Sequence, residues 1–245
     1  MKNQSFAAID QSFSPYRSFR TNYLQKIGGV GVCALLLLFA GKTTAQAVSS
    51  PPALAKTVDV HYNHLQSLQA RYTERYRGMG IDRTETGTLL LKKPGRMRWA
   101  YDSPAGTVFL LDGRNAITYT PGDAQAQEIP EKDLDDLRSP LRFLLGHTEL
   151  AKELTGLTLT LVKLDDGSTG YTLSGAPKAM DQRVRSMALT VDGRGEIHAM
   201  RIEETDGATT DFTFSGMKEN VATKDGDFLF VAPKGVEVVK GAKPI

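Results

Sequence analysis

Few residues in this chain have the type and spacing that chemistry requires. His61 and His64 stand three residues apart with Asp59 nearby, a spacing able to ligate a metal on a helix. No clear third ligand accompanies them, so solvated or partly buried imidazoles are the simpler reading and no metal is expected. The basic run Lys92, Lys93, Arg96 and Arg98 could hold an anion, but on alternating strands such residues more often form a solvent face. Glu203 and Glu204 fall on a strand without an evident partner. Asp135 and Asp136 precede a helical stretch, where the macrodipole favours them. His147 and His198 are isolated. No G-x-S-x-G elbow, P-loop, G-x-G-x-x-G or H-E-x-x-H occurs. The chain is therefore expected not to be an enzyme and to need no cofactor.

The single cysteine, Cys33, removes disulfide frameworks and cysteine-based zinc clusters. It lies inside an apolar run of 14 residues, 27–40, preceded by Arg17, Arg20 and Lys26 and followed by Ala45-Gln46-Ala47. That run is shorter than the ~20 residues of a membrane-spanning helix. A basic start, a short apolar core and an A-x-A site make a secretory signal peptide, with cleavage expected after Ala47. Val32 precedes Cys33 and Leu35 to Leu38 continue the run, so lipidation at Cys33 is not expected. The removed segment carries Lys2, Arg17, Arg20, Lys26 and Lys42 against Asp10, which turns the formal charge of +2 into −2. A cysteine-free, slightly acidic exported domain spanning 48–245 remains, and its charge argues against a nucleic-acid partner.

These candidates need elements to position them. Leu54, Val58, Tyr62, Leu65 and Leu68 recur at steps of four and three, the stripe of an amphipathic helix. Residues 70–77 change to a period of two and read as a strand, with a turn expected over 78–83. Short β-like runs follow at 84–92, 96–101, 107–111, 116–120 and 125–129. Others follow at 157–164, 170–174, 184–191, 197–204 and 209–217. Pro-Gly, Ser-Pro and Asp-Gly pairs punctuate them, and Asp-Gly between alternating runs is a strong hairpin signal. Between the two sets, Ser139-Pro140 suits a helix start, Leu141, Leu144 and Leu145 form a stripe and Gly146 ends it, with a second short helix over 148–154. No ten-residue helix separates consecutive strands, so an antiparallel meander is expected, as a sandwich or as a curled, barrel-like sheet.

Several segments, in this order, resemble the LolA family of periplasmic carriers of outer-membrane lipoproteins. They are Gly87-Thr88-Leu89-Leu90-Leu91-Lys92-Lys93-Pro94-Gly95-Arg96-Met97-Arg98-Trp99, continuing through Tyr101, Ser103, Pro104 and Leu110-Leu111-Asp112-Gly113. Ser139-Pro140-Leu141 follows, then Val191-Asp192-Gly193-Arg194-Gly195-Glu196-Ile197. The last is Asp227-Phe228-Leu229-Phe230 with Pro233, Gly235 and Val236. The resemblance implies an α+β fold in one domain, an open, incomplete antiparallel β-barrel with a helical lid. In the family an arginine before the proline holds the lid to the helical insert. Lys93 occupies that place here, a point charge without the planar fork of arginine.

The resemblance further implies a cavity for acyl chains. Period-two alternation puts Met97, Trp99 and Tyr101 on one face, and Val108 with Leu110 on one face of the next strand. Met187, Leu189 and Val191 follow later, as do Met200 and Ile202. These are the expected cavity walls, with Leu141, Phe143, Leu144 and Leu145 as the lid and Lys93 as its latch. The implied partners are acylated lipoproteins, an inner-membrane lipoprotein-releasing ABC transporter and an outer-membrane acceptor, with the carrier itself a monomer. A binding module for another lipid or amphiphile, and a periplasmic hydrolase, are the alternatives.

Overall fold

The computed structural model describes residues 50–131 and 148–241. The signal segment and the insert carrying Leu141, Phe143, Leu144 and Leu145 lie outside the described residues.

The chain opens with α1, Pro51–His64, capped by the Ser50 hydroxyl, which accepts the Ala53 N–H at 3.4 Å. Proline in the first turn needs no amide hydrogen there and pre-sets φ, so Ser-Pro-Pro is a strong start. Leu54, Ala55, Val58 and Tyr62 are buried, as the stripe predicts. The helix stops earlier than its apolar spacing suggests. Leu65 is already extended, and Leu68 belongs to the following strand. Leu68 fits both periods, because it is also in phase with Ala70 and Tyr72 on the buried face of that strand.

Six strands follow: β1 Ser67–Gly78, β2 Ile81–Lys92, β3 Arg96–Tyr101, β4 Val108–Asp112, β5 Asn115–Tyr119 and β6 Gln125–Pro130. A four-residue helix, α2 Leu150–Glu153, precedes β7 Leu154–Lys163, β8 Thr169–Pro177, β9 Val184–Asp192, β10 Ile197–Glu204, β11 Thr209–Glu219 and the short β12 Glu237–Lys240. All twelve form one sheet in the order β12-β6-β5-β4-β3-β2-β1-β11-β10-β9-β8-β7. Every neighbouring pair is antiparallel except β12 and β6, which run parallel. The sheet is unclosed, with β7 and β12 at its ends. The stretch between β6 and β7 therefore links opposite ends of the strand order.

The turn expected over 78–83 is only two residues long. Gly78 pairs with Ile81, and Met79 and Gly80 between them have φ of 51° and 78°, the signature of a type I′ hairpin. The glycines supply the bend within three residues, so β2 starts at Ile81. The strand β12 gave no alternating pattern of its own; it exists because the C-terminal segment returns to the edge of β6.

One face of the sheet carries the main core. Trp99 on β3 and Phe212 on β11 have ring centroids 5.5 Å apart although β2 and β1 lie between them. Three strand spacings amount to about 14 Å in a flat sheet, so the sheet curls toward this face. Helix α1 is laid on it.

Candidate functional site

The curled face is lined residue by residue through register. Met97 and Trp99 sit opposite Leu91 and Leu89 on β2 and opposite Leu111 and Phe109 on β4; Tyr101 faces Gly87. On the other side Met200 and Ile202 oppose Leu189 and Met187 on β9, and Phe212 and Thr210 on β11. Val191 opposes Tyr171 on β8. Met97, Trp99, Tyr101, Met187, Leu189, Val191, Met200 and Ile202 thus share one buried cluster with α1. At its centre Trp99 meets the Tyr72 ring edge-on at 4.5 Å, and its indole N–H points to the Met97 sulfur at 2.8 Å. Gly87 makes room for Tyr72: a Cβ there would lie 2.6 Å from the Tyr72 hydroxyl.

Val108 and Leu110 are not part of this face. They oppose Ala100 and Arg98, on the other side of the sheet, in a second cluster with Ile117 that Tyr119 and Phe230 cover. Phe109 and Leu111 take the inner positions. The strand reads Val-Phe-Leu-Leu and is buried on both sides, so its apolar pattern carries no parity. What buries its outer side is the C-terminal segment, including the short 3-10 turn Asp225–Phe228.

That segment also employs three members of the basic run. Asp225 accepts from Lys92 at 2.8 Å and from Arg96 at 2.6 Å, and these cations hold its carboxyl below the usual carboxylate range. Arg98 donates to the Asp227 carbonyl at 3.3 Å. The run straps down the chain end.

Lys93 points the other way. Its ammonium donates to the Tyr62 carbonyl in the last turn of α1 at 2.7 Å, and burial pulls its pKa down. The same carbonyl accepts the Leu65 N–H at 3.2 Å, and a cation at a helix C-terminus complements the dipole. Three more contacts fix the helix, two of them in the same turn and one further back. The Tyr62 hydroxyl accepts the Ile197 N–H at 3.0 Å, and burial pushes that phenol well above its usual range. His61 Nε2 meets Glu219 Oε1 at 3.0 Å, and the β9–β10 turn abuts the helix at Gly195. A Cβ at Gly195 would stand 2.8 Å from the Thr57 carbonyl oxygen, and its φ of 90° is already a glycine conformation. Asp192 shapes that turn by accepting the Arg194 and Glu196 amides at 2.8 and 2.9 Å.

The polar side of α1 holds residues that emerge from the insert. Asn63 Nδ2 donates to the Thr148 carbonyl at 3.0 Å, while its Oδ1 accepts the Thr148 N–H at 2.7 Å. Asp59 accepts the Leu150 N–H at 3.1 Å. Among the described residues, Lys93 therefore acts on α1, and α1 in turn holds the flank of the insert. The contact of Lys93 with the insert expected from the resemblance lies outside the described residues. Sequence reasoning missed Asp59 and Asn63 as tethers; their spacing of four, which puts both on one helical face, was the available signal. The histidines have roles of their own, His61 with Glu219 and His64 Nδ1 with the Val60 carbonyl at 2.6 Å.

The arrangement offers a broad apolar wall containing methionines and aromatic rings, covered by a helix tethered through a handful of polar contacts.

Residues 63–231 match the family described as outer membrane lipoprotein carrier protein LolA. A protein from Cupriavidus necator named outer-membrane lipoprotein carrier protein is 28% identical over 219 residues, covering 86% of this chain and 97% of that one. A Pseudomonas putida protein of the same name is 27% identical over 207 residues, covering 84% and 91%. Among solved structures, a LolA superfamily protein from Nitrosomonas europaea aligns over 74% of this chain and 98% of its own, with 12% identity and a TM-score of 0.41. The family match runs from the last turn of α1 through β11 to the C-terminal strap, so it takes in every strand of the wall though not the body of α1, and the chain belongs to the LolA family.

Proposed function

We propose that this protein is a periplasmic chaperone for lipoproteins. It binds the acyl chains of lipoproteins released from the inner membrane by an ABC transporter and carries them to an outer-membrane acceptor. Its export is driven by the signal peptide, cut after Ala47. The observation that carries this reading is the inner face itself. Met97, Trp99, Met187, Leu189, Met200 and Ile202, joined by Phe109, Leu111 and Phe212, form one apolar wall from five strands, and helix α1 covers it in place of a second sheet.

The energetics explain the design. Burying one CH₂ is worth ~0.8 kcal/mol, so a chain of ~16 carbons resists entering water by ~12 kcal/mol. A carrier must supply a wall of comparable quality and still let go. The α1 cover packs apolar side chains against that wall when cargo is absent, and cargo replaces those contacts. Binding is then an exchange of one apolar partner for another, which keeps its net strength moderate. Methionines suit the task because an unbranched thioether adapts to irregular chains. In this reading Leu141, Phe143, Leu144 and Leu145 form the lid, and Lys93 controls it through α1.

The test is release from spheroplasts. The purified chain from Val48 onward should draw lipoproteins into a soluble complex, and cargo bearing brominated acyl chains should quench the fluorescence of Trp99, the only tryptophan. Free lipid in place of lipoprotein would move the protein to the class of general amphiphile carriers. Absence of quenching with cargo bound would refute the inner face as the site.

A further inference from the structure

The inner face changes character along its strands. Inward positions on β1 read Leu68, Ala70, Tyr72, Glu74 and Tyr76, and those opposite on β2 read Leu91, Leu89, Gly87, Glu85 and Arg83. The wall is apolar where Tyr62 of α1 lies against Leu68 and Leu89, and it turns polar toward the β1–β2 hairpin. Glu74 stands at the transition. It is buried, and it opposes Phe212, a fully buried ring of the wall. Thr210, its diagonal neighbour on β11, is wholly buried, and among the described residues its hydroxyl meets no hydrogen-bond partner. Arg83 is engaged with Glu85 at 3.4 Å and stands over the Tyr76 ring, 5.9 Å from its centroid. A carboxylate and a hydroxyl both lose water in such a wall, and a buried hydroxyl without a partner costs stability. Valine would fill the place of Thr210 without that cost. A polar side chain kept there points to a ligand that supplies the missing bond.

We propose that Glu74 and Thr210 form a polar seat for the head of the lipid anchor. Glu74 accepts the N–H of the acylated cysteine, and Thr210 donates to an ester carbonyl of its diacylglycerol. The proposal rests on the carrier reading and adds a direction to it. An acylated, glyceride-bearing cysteine is amphipathic. Its tails need apolar wall, and its amide and ester groups need hydrogen-bond partners once out of water. With the head at Glu74, the tails run past Tyr72, Ala70 and Leu68 toward α1, along ~20 Å of strand. The two side chains match the two kinds of group in the head. The amide is its one donor and meets a carboxylate, which makes a bond roughly twice as strong as a neutral acceptor would. The esters only accept, and they meet a hydroxyl.

Two synthetic lipopeptides separate this seat from a packing role. One carries an N-acylated diacylglyceryl cysteine, and the other is the same molecule with that amide N-methylated, which removes the donor. The chain from Val48 onward should bind the first about tenfold more tightly, read from Trp99 emission. Glu74→Leu should bind both alike, at the affinity of the methylated peptide. Glu74→Gln, whose carbonyl oxygen still accepts, should keep a smaller preference. Thr210→Val should leave the urea midpoint unchanged or raised and lower the affinity for both peptides several-fold. Equal binding of the two peptides by the parent chain, an undiminished preference in either Glu74 variant, or unchanged affinity in Thr210→Val would each overturn the seat alone. A parent chain that binds neither peptide would overturn the carrier reading and the seat with it.

Discussion

Replacing Gly195 by alanine tests whether α1 is seated by the β9–β10 turn. The new Cβ would lie 2.8 Å from the Thr57 carbonyl oxygen and 3.0 Å from the Val58 Cα, both backbone atoms of α1 that cannot rotate aside. The residue would also be held at φ of 90°, which costs an alanine ~1–2 kcal/mol. Relief requires the helix and the turn to part by several tenths of an ångström. Two residues along the same turn, the Ile197 N–H makes its bond to the Tyr62 hydroxyl at 3.0 Å, and parting the two weakens it. Leaving a buried donor unpaired costs ~1–3 kcal/mol. The sum is a destabilisation of ~2–5 kcal/mol. Gly193 is the internal control: it lies in the same turn, a Cβ there meets nothing within 4 Å, and its alanine variant should change stability by no more than ~0.5 kcal/mol. Urea unfolding followed by Trp99 emission measures both, since that indole is fully buried beneath α1. Gly195→Ala should lower the midpoint, redshift native emission and raise the binding of apolar dyes. A Gly195→Ala midpoint equal to that of Gly193→Ala would refute the claim that this turn positions the helix.

Lys93→Arg should leave the urea midpoint within experimental error and change the rate at which lipoprotein passes from carrier to acceptor vesicles; unchanged transfer would remove Lys93 from the release step. Phe228→Ala should cost ~3–4 kcal/mol in urea, because the ring is buried between the strap and the outer side of the sheet, and a loss below 1 kcal/mol would mean that the strap is dispensable. Asp102 is held at about 2, first by its hydrogen bond from Arg71 and then by the Thr86 hydroxyl. A carboxyl depressed in the folded state stabilises above its ordinary pKa near 4, and that contribution is lost as pH falls from there towards 2. Carboxyl NMR titration of Arg71→Gln should show the Asp102 value rising toward the ordinary range; an unmoved value would contradict the assigned cause.

Much of this fold is written in local pattern. The limits of β3 and β10 coincide with their alternating runs, because each has one buried face and fixed turns beside it. The Asp-Gly signal between β9 and β10 marks a turn from the sequence alone, since an aspartate side chain caps its own following amides. That Gly195 of this turn also abuts α1 could not be read there, because its neighbour, Thr57, is 138 residues away in the chain. The faces of β4 illustrate the same limit. Four apolar residues in succession state that both sides are buried but not by what, and Phe230, more than a hundred residues later, decides it. A tether at Lys93 came only from the family resemblance; its partner, the Tyr62 carbonyl, could not be read, because a backbone carbonyl at a helix end has no residue type to recognise. The sequence by itself determined most of the strands, their turns and the apolar character of the inner face, since these depend on neighbours a few residues apart. Only the tertiary structure decided which apolar residues face inward, which cations strap the chain end, and that α1 stands between Lys93 and the flank of the insert, because those outcomes depend on which distant segment arrives to cover each surface.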